Sequence, residues 1–180
     1  MESPALAADV FDKISDILRD TLKDLTPQEL VAGPKPHIAW LSWHMARVQD
    51  HNIAELSGRD QIWIADGWHG RFAMPPEPKD YASGHRQTPE LVDAFPVPDK
   101  QLLLDYFAAV LNRTQSYLST LSAQDLDRVL DEPRYQPLPT LGVRIVSVIS
   151  DNMRHVGQIE YLVGFIRHGG WFPASARQKS

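Results

Sequence analysis

The chain of 180 residues contains no cysteine. Disulfides, thiolate metal ligands and a cysteine nucleophile are thereby excluded, and any thiol chemistry needs a thiol from outside. Long apolar runs are also lacking. None approaches the roughly 20 residues that span a bilayer, so no membrane partner is expected. Basic clusters are missing too: 18 Lys and Arg stand against 23 Asp and Glu, a formal charge of −5. Without a basic block, nucleic acid is not an expected partner, because phosphate binding draws on clustered cations. The opening segment MESPALAADVFDKI carries acidic residues where a secretory signal is basic, which points to the cytoplasm.

What the chain does have is apolar material at helical spacing. With 43% hydrophobic residues and a length suited to one core, residues 1–180 read as a single domain. Four long stretches repeat at the helical period. The first, about 4–25, lines up Val10, Ile14 and Ile17, and a short helix starts at TPQEL with a Thr cap and Pro at the first position. The second runs from about His37 to Leu56. The third follows VPD with Leu103, Phe107, Val110, Thr114 and Tyr117 on one stripe, and the fourth spans about 140–168. Such spacings fit an all-α four-helix bundle with short connections. One connection, 57–98, is long and holds six prolines, with TPELVDAF as a short helix inside it. Its Trp63, Trp68 and Phe72 call for burial, so it reads as a folded cover over one end or side of the bundle. Residues 174–180 read as a frayed tail.

Polar residues interrupt two of the core stripes. Asp151 and His155 stand one helical turn apart on the fourth helix, and either Asp151 or Asn152 occupies the stripe between Val148 and His155. A buried carboxylate must be compensated. An Asp–His pair or a bond to a neighbouring helix would do this, and so would a cation. On the second helix His44 lies on the core stripe, with His37 and His51 seven residues to either side, about 10 Å along the axis. Only one of the three can join Asp151 and His155 at one ion, and His44 is the most central. Three ligand types converging from two helices favour a metal over a purely structural cluster. Two imidazoles and one carboxylate leave coordination positions open, and zinc, nickel, iron(II) and manganese all accept such a set. Gln158 is a candidate for an outer hydrogen bond or a substrate contact. His51 and Arg47 are candidates to line a pocket farther along helix two, with Asp50 facing away. His69 and Arg71 in GWHGRF could meet an anionic substrate, His85 and His168 look solvated, and Trp40 and Trp43 pack in the core or an interface.

A His in the second long helix, followed much later by a carboxylate or His four residues before H-x-G-Q-I, resembles the DinB/YfiT-like metalloprotein superfamily. The resemblance extends over nearly the whole chain, and DNMRHVGQIEYL is its most specific part. It implies a four-helix bundle of variant up-and-down topology, often a homodimer, with a divalent metal on three residues. Carried over, those are His44, Asp151 and His155. Most members have His at all three positions, whereas related mycothiol-dependent maleylpyruvate isomerases use a glutamate where Asp151 stands. The implied activity is a transferase or isomerase acting on a small-molecule substrate with mycothiol or bacillithiol. A hydrolase in which zinc or nickel activates water is the other enzymatic form. The competing expectation is a non-catalytic, stress-related bundle whose Asp–His–His cluster only joins two helices.

Overall fold

Local chemistry at the ends of the apolar stretches decides where each helix begins and stops. The computed structural model describes residues 3–77 and 89–169. Helix α1 (Ser3–Leu22) buries Phe11, Ile14, Leu18 and Leu22. It ends earlier than its periodicity suggests because Thr26 starts a new helix, α2 (Pro27–Leu30), with a complete capping box. There the Thr26 N–H donates to Glu29 at 2.8 Å and the Glu29 N–H donates to Thr26 Oγ1 at 3.3 Å. Leu25 still reaches the core from the turn. Helix α3 (Ile38–Ser57) opens at His37, whose Nδ1 accepts from the Trp40 N–H at 3.2 Å. His37 is therefore a cap and not a member of the helical stripe.

Three short helices follow: α4 (Ile62–Ala65), α5 (Trp68–Arg71) and α6 (Pro89–Asp93). Helix α7 (Lys100–Leu118) is capped by Asp99 and α8 (Leu141–Ile166) by Thr140, each accepting from a first-turn N–H. Among the described residues no helix is long and apolar enough to cross a membrane.

Helices α1 and α3 each pack against both α7 and α8. The first two long helices thus occupy opposite corners of the bundle, as do the last two. This diagonal order is the variant of the up-and-down bundle. Helix α3 is buried on nearly every side, as expected of a helix that the rest of the chain surrounds.

A second long connection joins α7 to α8 over 119–140, where sequence spacing suggested a short one. It holds a single 3-10 turn, Gln124–Asp127, and an isolated antiparallel bridge between Val129 and Thr140. The turn sits so close to α8 that a side chain on Gly142 would come within 3.2 Å of the Leu126 carbonyl. Glycine admits that contact.

A polar relay crosses the core. Asn152 donates to Gln49 Oε1 at 2.5 Å, Gln49 donates to Thr114 Oγ1 at 2.8 Å, and Thr114 donates to the Val110 carbonyl at 2.9 Å. All three side chains are fully buried, so α3, α7 and α8 are tied at one level. Asn152 takes the buried position on the α8 stripe, and Asp151 lies half-buried beside it. Gln49→Ala would open a cavity and strand two buried polar partners, at a cost of about 3 kcal/mol. Urea unfolding measures this, and a loss below 1 kcal/mol would contradict the relay.

At the far end of α8, Arg167 donates to both Glu29 oxygens, at 2.6 and 3.0 Å. The Arg167 guanidinium, with the Thr26 N–H, lowers the Glu29 carboxyl to about 2. A depressed carboxylate stabilises the fold above its unfolded pKa, and that contribution disappears as pH falls through the folded one. Melting temperatures of wild type and Glu29→Gln should therefore differ at pH 6 and converge as pH approaches 2. A gap that stays constant over that range would exclude the linkage.

Candidate metal centre

The one-turn spacing on α8 sets Asp151 and His155 side by side, and α3 brings His44 across to them. One potential ligand atom from each of the three lies within 4.8 Å of the other two. A tetrahedral ion at about 2.1 Å from its ligands holds them roughly 3.4 Å apart, so the groups would close in by about 1 Å around a cation. His44 is buried and its ring stacks on Trp40, with centroids 4.7 Å apart and planes at 11°. It meets the His155 ring edge-on at 4.8 Å. These aromatic contacts restrict the His44 ring before any ion arrives.

His155 is held from both sides. Its Nδ1–H donates to Gln158 Oε1 at 2.7 Å, and its Nε2 lies 3.5 Å from Asp151 Oδ1. With the proton on Nδ1, the Nε2 lone pair is left for a cation, which is how outer hydrogen bonds orient metal-binding imidazoles. Asp151 Oδ2 is buried and has no hydrogen-bond partner among the described residues. Burial pushes the Asp151 carboxyl up, but the hydrogen bond and charge of His155, and that of His44, bring it below the usual carboxylate range. Burial lowers the His155 imidazole, and the bonds to Asp151 and Gln158 outweigh this and raise it. Asp151 is therefore ionised, and one of its oxygens is unsatisfied among the described residues. A buried carboxylate oxygen with no donor is expensive, and a divalent cation between two imidazoles would satisfy it. The residues fit the ion.

The remaining candidates lie elsewhere. Arg47 is fully buried and donates to Gln61 Oε1 at 2.9 Å, to Tyr106 Oη at 3.5 Å and to the Glu77 carbonyl at 3.3 Å. Its guanidinium stacks over Trp63 at 4.6 Å. Asp50, which the sequence turned away from the site, is the buried anchor of the cover. Its carboxylate accepts from the Ile62 and Trp63 N–H groups at 3.0 and 2.9 Å and from Tyr106 Oη at 2.8 Å. Trp63, Trp68 and Phe72 are buried around Tyr106. The described part of the cover is therefore fastened to the α3–α7 side, whereas His44, Asp151 and His155 meet between α3 and α8.

His69 and Arg71 go with the cover. His69 Nδ1 lies 3.4 Å from the Met74 carbonyl and Arg71 stacks over Trp68 at 4.3 Å. His51 faces Gln61 at 3.2 Å and Glu55 at 3.3 Å, and burial lowers its imidazole. His168 is exposed, while His85 and the tail 174–180 lie outside the described residues.

Sequence reasoning did not find the Asp50–Arg47–Tyr106 network or the Gln49 relay. The available signal was Arg47 and Asp50, of opposite charge and three residues apart on the same helix.

The sequence signature of the DinB superfamily matches residues 10–159. The chain belongs to the DinB superfamily. The matched span contains His44, Asp151 and His155 and most of the bundle. Among solved structures, a similar one is described as the crystal structure of the conserved protein of locus from Enterococcus faecalis. It is 33% identical, with a TM-score of 0.82, over 93% of this chain and 99% of that one. No protein with a curated description matches. The diagonal bundle described above is thus the DinB fold, shared over nearly the full length of both chains.

Proposed function

We propose that this DinB-superfamily protein is a metal-dependent enzyme whose divalent ion is held by His44, Asp151 and His155. The observation that carries the reading is the buried Oδ2 of Asp151, unpartnered among the described residues, beside two imidazoles. Three protein ligands leave positions open for a guest, which suits a catalytic more than a structural ion. A bound divalent cation would supply acidity, lowering the pKa of a thiol or water so that a nucleophile exists at neutral pH. The chain's own groups would do the rest. Gln158 fixes the proton of His155 on Nδ1, Trp40 restricts the His44 ring, and Asp151 provides the negative charge.

The absence of cysteine means that a sulfur nucleophile must come from solution. A transferase or isomerase using a low-molecular-weight thiol is the leading form, and a hydrolase the second. Incubating zinc- or nickel-loaded protein with mycothiol, bacillithiol or glutathione and a small electrophile separates them. Thiol consumption that stops on chelation supports the transferase, and metal-dependent hydrolysis of an ester panel without thiol supports the hydrolase. If neither occurs, the reading as an enzyme fails.

The Asp151–His155 pairing itself favours one alternative, a non-catalytic cluster that joins α3 to α8. Gln158→Ala distinguishes the two. An outer partner of a metal ligand is worth about 10- to 100-fold in affinity, so zinc binding should weaken by that factor. In a purely structural cluster the exposed Gln158 would matter little.

A further inference from the structure

A crevice of about 400 Å³ lies between the start of α3 and the end of α8, roofed by residues 34–36. Leu41 and Gln158 line it. Leu41 precedes His44 by one helical turn, and Gln158 follows His155 by one turn and bonds to its ring at 2.7 Å. The crevice therefore opens beside the candidate metal centre, at the low end of the volumes that hold small ligands.

Gly157 forms part of its lining. It is exposed in the body of a 26-residue helix, where glycine costs about 1 kcal/mol relative to alanine. A side chain there would meet nothing within 4 Å among the described residues, so no packing among them requires the glycine. What the glycine does is keep the wall of the crevice at backbone level.

The charges in the lining are positive although the chain is acidic overall. Lys35 is ion-paired with Asp93, while Arg154 makes no ion pair among the described residues. The other walls are mainly apolar: Pro34, Leu41, Tyr161 and Leu162. One guanidinium fork matches one carboxylate, and the apolar walls match a hydrocarbon or aromatic body.

We infer that this crevice binds a small organic carboxylate, its anionic group on Arg154 and its apolar body over Gly157 against Leu41 and Leu162. The inference rests on the proposed metal centre only in taking that neighbour as the place where the bound molecule reacts. It supplies the substrate class that the cover residues His69 and Arg71 do not.

The test uses 4-phenylbutanoate and its neutral amide, 4-phenylbutanamide, as probes, titrated into the full chain and followed by amide NMR shifts. Both chelated and zinc-loaded protein are examined. The acid should perturb Lys35 and residues 154–161, in both forms, at least tenfold more tightly than the amide. Arg154→Gln should weaken the acid about tenfold and leave the amide unchanged, since a charge-assisted bond is lost. Gly157→Leu should abolish binding of both while raising the melting temperature, because leucine is the better helix former.

Equal affinity for acid and amide, or no response to Arg154→Gln, overturns the inference, and so does the absence of saturable binding. Acid binding that appears only with zinc and ignores Arg154→Gln means that the carboxylate ligates the ion. The crevice inference then falls and the metal centre stands. Acid binding to the crevice in a protein that takes up no zinc leaves the crevice standing and removes the metal reading.

Discussion

Purified wild-type protein should take up one divalent cation per chain, and His44→Ala should lose at least about 100-fold in affinity, more than removal of an outer partner costs. The expectation follows from the three convergent groups and the unsatisfied oxygen of Asp151. Because an ion that binds only the folded state stabilises it by mass action, zinc at a thousandfold excess over its Kd adds about 4 kcal/mol. For a chain of this length that is a rise of roughly 10 °C in melting temperature. The same rise should be absent in His44→Ala and in His155→Ala. Differential scanning calorimetry with and without chelator measures it. If the cluster is only structural, the histidine variants should lose stability with no dependence on added metal, and wild type should show no gain.

Asp50→Ala should be the most damaging substitution away from that centre. It removes the acceptor for two backbone N–H groups and the Tyr106 hydroxyl, and leaves Arg47 buried without the carboxylate 3.6 Å away. Breaking a buried pair of this kind costs about 3–5 kcal/mol, because the remaining charge has no water to turn to. Burial raises the Asp50 carboxyl and the hydrogen bonds from Trp63, Tyr106 and Ile62 oppose it, so those donors are what keep the group tolerable. The melting temperature should fall by about 10 °C. Proteolysis should begin in 57–77, the described part of the cover, while the zinc-dependent gain in stability persists. A loss under 1 kcal/mol would contradict the role of Asp50 as anchor, and simultaneous loss of metal affinity would show that the cover and the metal centre are not separate units.

The bundle was legible because apolar residues at the helical period can be satisfied only by burial of one face, and four such stretches are present. The cap at Thr26 was equally local. The pairing of Asp151 with His155 follows from one turn of helix, and the choice of His44 over His37 and His51 follows from axial rise. What spacing does not specify is which neighbour a face meets. Arg47 lies only about 60° around the helix from His44, yet it packs with Tyr106 and Trp63. The direction in which 57–77 folds is likewise set by contacts distant in sequence, through Asp50 and Tyr106. His69 and Arg71 were therefore expected near an anion but lie with Trp63 and Trp68. Arg154 carried no signal of its own. Its surroundings, Gly157 and the turn at 34–36, come together only once α3 and α8 are packed.

The most direct measurement is an anomalous difference map at the zinc edge from crystals of the protein grown with zinc. The account predicts one peak per chain at about 2.0–2.2 Å from a nitrogen of His44, a nitrogen of His155 and an oxygen of Asp151. No peak there, with Asp151 still paired directly to His155, would contradict it.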